Sequence, residues 1–217
     1  MLLLLSVGLL LGSLAVLIVK KNRESLLLAG MCLSLTVFLV GVMIVIAKRG
    51  GVSREVETFL YFSRDIRLWI QYRFITLDQM GCLISVGRHL FPLFLLEMAI
   101  HYSMSAWIRK FLLLRYWVAL LPAATLVLYW PELYHWLITA LPWAKAALYY
   151  FSWLWAVGYV VLALILLAVE YFSITISFCR RQFLQIAVCL VSLSALYLLY
   201  SGQDPGQVYS FYSYDYL

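Results

Sequence analysis

Apolar residues run along this chain in blocks of close to 20, and short clusters of charge separate them. A helix rises about 1.5 Å per residue, so a block of about 20 crosses a hydrocarbon core of roughly 30 Å. Six such blocks are present, over 2–19, 26–47, 80–102, 111–130, 146–169 and 183–200. The alternating segments of about ten residues that mark a membrane β-barrel are absent. The pattern therefore predicts an all-α fold, a polytopic transmembrane helical bundle of about six spans in a single domain over 1–217.

Two stretches do not fit the blocks. Over 52–74 charge and aromatics are mixed, and Phe59, Phe62, Ile66, Trp69 and Ile70 recur at helical spacing. This predicts an amphipathic helix, either lying on the membrane surface or forming a polar cap on the bundle. Between the fourth and fifth blocks, PELYHWLITALPWAK is bracketed by Pro131 and Pro142. Trp130, Tyr134, Trp136 and Trp143 give it the look of an interfacial aromatic belt around a short, half-buried helix.

Composition strengthens the membrane assignment. Of 217 residues, 65% are hydrophobic and 12% charged, against about 25% charged in a soluble domain. A net charge of +6 does not point to nucleic acid, because the basic residues form no stripe along one face. They sit beside the apolar blocks, where lysine and arginine set topology. Segment 20–25 holds Lys20, Lys21 and Arg23, segment 103–110 holds Arg109 and Lys110 with Arg115 just beyond, and segment 170–182 holds Arg180 and Arg181. Segments 131–145 and 201–217 hold one cation, Lys145, against Glu132, Asp204 and Asp215. The asymmetry predicts that the N-terminus and the tail 201–217 lie outside a cell membrane, in bacteria the cytoplasmic one. Segment 48–79 opposes it with Lys48, Arg49, Arg54, Arg64, Arg67 and Arg73. The positive charges at Lys20, Lys21 and Arg23 follow the first block, the reverse of a secretory signal, so that block reads as a retained helix.

The third block carries the candidate chemistry. Arg88 and His89 fall near its middle, and Glu97 and His101 follow towards its end. Ionisable groups at bilayer depth are costly and face a bundle interior or a water-filled cavity. At about 100° per residue, Glu97 and His101 are about 40° apart, close enough to share a hydrogen bond, and His89 is about 80° from Glu97. Arg88 and Glu97 lie on opposite sides, so Arg88 needs a partner from another helix, an anion or water. Pro92 removes one backbone donor and leaves the carbonyl of Arg88 without its helical partner. One reading is a ligand-binding polar pocket of Arg88, His89 and Glu97 with His101 behind them; the other is purely structural, with each group satisfied by a neighbouring helix. Enzyme signatures and cofactor motifs are lacking: there is no HExxH, GxSxG or phosphate-cradling loop. Cys32, Cys82, Cys179 and Cys189 have no metal-ligand spacing. Gly8 and Gly12 form a GxxxG that lets helices approach closely. The tail's Tyr209, Tyr212, Tyr214 and Tyr216 read as an interfacial strap or a recognition peptide.

Over 87–137, GRHLFPLFLLEMAIHYSMSAWIRKFLLLRYWVALLPAATLVLYWPELYHWL, the chain resembles the seven-helix sensor region N-terminal to many bacterial histidine kinases. The likeness rests on a third helix with a proline ahead of a short basic loop, on Leu121-Pro122 in the next helix, and on His135 in the loop after it. An arginine-rich entry, CRRQFLQIAVCLVSLSALYLLY, then leads into the sixth helix. Glu132 departs from the polar amide expected before that histidine, and the tyrosine-rich tail is unfamiliar. The family pattern continues into a seventh helix and an output domain; here the sequence stops where that helix would begin. The resemblance implies sensing of a ligand or an envelope state, with a kinase, response module or membrane complex as protein partner and membrane lipids around it. An accessory subunit of a larger complex and a small-solute transporter are the alternative functions.

Overall fold

The structure, a computed structural model, describes residues 2–19, 22–49, 53–72, 76–103, 112–202 and 205–209. Every element among them is helical, and no strand occurs among the described residues. In chain order the helices are α1 (Leu2–Val19), α2 (Arg23–Arg49), α3 (Arg54–Tyr61), α4 (Arg64–Gln71), α5 (Leu77–Tyr102), α6 (Leu112–Leu128), α7 (Pro131–Ala140), α8 (Ala144–Ser173), α9 (Ser177–Tyr200) and α10 (Pro205–Tyr209). The cations at Lys20, Lys21, Arg73, Arg109 and Lys110, the side chain of Arg115, and nearly all of the tyrosine tail lie outside the described residues.

Five helices, α1, α2, α5, α8 and α9, are long and apolar enough to cross a membrane, with mean hydropathy from 1.5 to 2.8. The fourth expected crossing is α6, a 17-residue helix interrupted by Pro122, shorter than the other five. Burial shows what solvent these helices are built for. Only 17% of the spanning window of α1 and 22% of that of α9 is buried in the protein. The outward residues include Leu11, Ile18, Val19 and Leu199. Rows of exposed aliphatic side chains on helices of this length match hydrocarbon. The chain is a multi-pass integral membrane protein.

α5 is the hub. It packs on α2, α8, α10 and α6, whereas α1 leans on α2, and α9 leans mainly on α8. Its first turn is fixed by a capping box: Gln79 N–H donates to Thr76 Oγ1 (3.3 Å) and Thr76 N–H donates to Gln79 Oε1 (3.0 Å). The α2–α5 contact is close because Gly87 lies against the backbone of Phe38, where an added Cβ would sit 2.5 Å from its nitrogen; Gly41 meets Ile84 and Gly30 meets the ring of Phe94. A Cβ added at Gly8 or Gly12 would meet nothing within 4 Å, so among the described residues no helix packs closely on the GxxxG seen in the sequence.

The amphipathic stretch over 52–74 is two short helices, not one. Phe62 takes a left-handed φ of 71° and ends α3; the Ser63 hydroxyl then caps α4 by accepting from Asp65 N–H (3.2 Å). Leu60 and Tyr61 are buried, and Ile66 and Ile70 pack against the same core. Tyr61 OH donates to the carbonyl of Met43 on α2 (2.6 Å). Burial, the largest influence, pushes the Tyr61 hydroxyl pKa up, with Arg67 opposing. Arg67 pairs with the nearly buried Glu57 at 2.8 Å. Phe59, Phe62, Trp69 and Tyr72 point outward, so the stretch is at once a packed cap and an aromatic surface.

Candidate functional site

Arg88 and His89 sit in the middle of α5, roughly 17 Å along the helix from Leu77, and both are fully buried. The guanidinium of Arg88 lies 5.5 Å from the ring centroid of Tyr149 on α8, within range of a cation–π contact. Its carbonyl, which Pro92 cannot serve, accepts from Tyr197 OH of α9 at 2.9 Å. The same solution recurs one helix away. Pro122 of α6 cannot donate to the carbonyl of Val118, and Tyr159 OH of α8 donates there instead (2.9 Å).

His89 is enclosed by rings. Trp155 stacks on it at 5.6 Å and Tyr129 lies 5.3 Å away. Its Nδ1 is 3.2 Å from Ser85 Oγ, one turn earlier on α5. Tyr129 continues the polar network to Ser152 of α8 (3.3 Å) and stacks on Tyr134 of α7 (5.6 Å). Tyr134 in turn abuts Gly206 of α10, leaving no room for a side chain at 206. A column of aromatic groups thus runs from the C-terminal helix α10 through Tyr134 and Tyr129 to the buried histidine.

Glu97 and His101 belong elsewhere. Glu97 forms an ion pair with Arg23 (3.7 Å), and His101 lies 3.3 Å from Glu24. Both partners are in the first turn of α2, so this charged pair of pairs staples α2 to α5 at the Arg23 end of the bundle. Each of the two thus has an interhelical contact with α2. Of the four residues predicted to share one site, the structure brings together Arg88 and His89, and separates them from Glu97 and His101 by more than two turns. At the opposite end His135 meets Asp78 of α5 at 3.7 Å.

Sequence reasoning missed the aromatic wall, Tyr129, Tyr149 and Trp155: Tyr149 and Trp155 look like lipid-facing bulk on a helix of mean hydropathy 2.3, and Tyr129 looks like part of the aromatic belt beside Trp130. Pro92 and Pro122 signal other aromatics: each freed carbonyl in a membrane calls for a donor, and Tyr197 and Tyr159 supply it. Open grooves on the surface are apolar, and neither Arg88 nor His89 lines those at α2–α5, α6–α7 and α1–α2. One of them, about 430 Å³, is lined by Val37, Gln79, Cys82, Leu83 and Val86, a shape that lipid chains fill. Among the described residues no group of three or more His, Cys, Asp or Glu converges on a point. No protein-family model, no curated protein and no solved structure matches the chain.

Proposed function

We propose that this protein is a sensory or regulatory module of a membrane, detecting a ligand or a state of its envelope at the Arg88–His89 centre. One observation carries the reading: a guanidinium and an imidazole are held fully buried at mid-span between α5 and α8. Placing a cation there costs several kcal/mol, and a bundle needing only to pack would do better with leucine. The resemblance to histidine-kinase sensor regions supports the same direction, as does the aromatic column linking the centre to α10. The output then passes through a protein partner. The test compares transcripts in a strain lacking the protein with strains carrying Arg88→Ala or His89→Phe at wild-type abundance. Both variants should reproduce most of the changes caused by the deletion. A deletion with a transcript signature and variants without one would overturn the sensory role.

A further inference from the structure

Phe59, Phe62, Trp69 and Tyr72 of the α3–α4 pair are 53–79% exposed, a patch of rings of the kind that marks a contact with a partner. The register of the long helices shows how deep that patch lies. Only residues 20–22 join α1 to α2, so the two run antiparallel, and the Thr36 hydroxyl reaches the Ser6 carbonyl (3.5 Å). Leu2, at the start of α1, is therefore level with Val40. From there α2 continues alone to Arg49, a rise of about 14 Å. The α3–α4 pair fills this notch. α3 packs on α1 and α4 on α2, Leu2 is buried in one core with Leu60 and Tyr61, and Tyr61 OH reaches the Met43 carbonyl (2.6 Å).

Two markers locate the edge of the hydrocarbon at this end. The apolar sequence of α2 gives way after Ala47, at Lys48 and Arg49. On α5, Ile84 lies against Gly41 and Gly87 against Phe38, an antiparallel register that brings Asp78 level with Ala47. There His135 of α7 meets Asp78 (3.7 Å), and Trp130, Trp136 and Trp143, on and beside α7, are exposed as in an interfacial belt. Met43, where Tyr61 docks, is about 6 Å deeper, and an interfacial helix buries its apolar face about 5–10 Å into this boundary. The side chains are sorted to match. On α3, Val56 and Phe59 lie within about 100° of the inward Leu60, and Arg54, Glu55 and Thr58 lie about 120–160° from it. On α4, Trp69 is about 60° from Ile66 and Arg64 about 160°. Each short helix thus has an inward sector, an apolar lateral sector and a polar one. The lateral sector continues the lipid face of α1, which exposes Leu4, Leu5 and Val7. We propose that α3–α4 is a wedge seated in the lipid leaflet at the Arg49 end, with Val56, Phe59 and Trp69 against the boundary between acyl chains and headgroups. The exposed Arg54 and Arg64 are offset by the exposed Glu55 and Asp65, so the partner is the leaflet itself and an anionic lipid is not required.

The experiment uses the full chain, with Cys32, Cys82, Cys179 and Cys189 replaced by alanine, in phosphatidylcholine vesicles. Nitroxide labels are attached at Phe59→Cys, at Trp69→Cys and, on the polar sector, at Arg64→Cys. The ratio of collisions with dissolved oxygen to collisions with a water-soluble nickel chelate should be severalfold higher at 59 and 69 than at 64. Equal ratios at all the labelled positions would overturn the wedge. Labels at 59 and 69 shielded from both reagents would also overturn it, and are the result of a second copy or another protein as occupant. Wild-type protein in the same vesicles gives a readout that needs no variant to fold. A lipid-soluble diazirine, photolysed in the bilayer, should leave adducts in the tryptic peptides 55–64 and 68–73. Adducts in the long apolar helices with none in these two peptides would place the pair in water and refute the proposal.

Discussion

A proline within a membrane helix strands the carbonyl four residues before it, and hydrocarbon supplies no donor. Here two tyrosines supply one, Tyr197 to Arg88 and Tyr159 to Val118. The energetic claim is conditional, and therefore testable: each tyrosine hydroxyl matters only while its proline is present. Tyr197→Phe should destabilise the protein by about 1 kcal/mol, within the range of buried hydrogen bonds in water and membranes. In a Pro92→Ala background residue 92 regains its N–H, the carbonyl of Arg88 regains its helical partner, and the same substitution should cost little. Unfolding of the four proteins of this cycle in detergent measures the coupling; an equal cost of Tyr197→Phe in both backgrounds would refute the account. This residue-scale logic was half legible in the sequence. Pro92 announces the stranded carbonyl of Arg88, but the donor lies 109 residues away, and only the packing of α9 brings it there.

Helices of this chain were legible as elements because length and apolar content are local properties, which is why five of the expected blocks fall on helices long and apolar enough to cross a membrane. What the helices do to one another was not. Glu97 and His101 share a face of α5 and looked like partners, yet Arg23 and Glu24 on α2 take them, since interhelical ion pairs satisfy both groups and join two elements. Likewise the GxxxG of α1 advertised a close contact, but the described glycines that lie against another helix include Gly30, Gly41, Gly87 and Gly206. A single glycine in an apolar helix does not reveal whether a neighbour's backbone lies against it. The consequence is directional. Gly87→Ala puts a methyl 2.5 Å from the backbone of Phe38 and should lower the unfolding midpoint by several degrees, in keeping with an overpacking cost of about 1–3 kcal/mol. Gly158→Ala on α8 meets nothing within 4 Å and should be neutral or stabilising by up to about 1 kcal/mol from helix propensity. Midpoints that fall equally for both would show that α2 and α5 do not meet through Gly87.

At the scale of the whole molecule, the arrangement of charge predicts an orientation that the helices alone leave open. Arg180 and Arg181 enter α9 at the same end as Arg23, since Phe183 meets Tyr102 one turn past the Glu97 that pairs with Arg23, and Lys20 and Lys21 stand beside Arg23 in the sequence. The other end carries Lys48, Arg49, Arg54, Arg64 and Arg67, so a count of cations nearly balances. The structure weights them differently. Arg67 is neutralised by Glu57 in the packed α3–α4 cap, and that cap also carries Glu55 and Asp65, whereas the short loops at the Arg23 end hold their cations within a few residues of a span. Short loops dominate the positive-inside rule. The expected topology therefore has the Arg23 end in the cytoplasm and the α3–α4 cap outside. Cys179 is exposed at the start of α9 and Ser53 is exposed just before α3, so both ends offer a reporter. In a chain with Cys32, Cys82 and Cys189 replaced by alanine, a membrane-impermeant maleimide should leave Cys179 unmodified in intact cells and label it after permeabilisation. With Cys179 also removed, Ser53→Cys should label in intact cells. The inverse pattern would place the aromatic cap in the cytoplasm, put the column from α10 to His89 on the cytoplasmic side of the centre, and make an envelope signal reach Arg88 from the opposite direction.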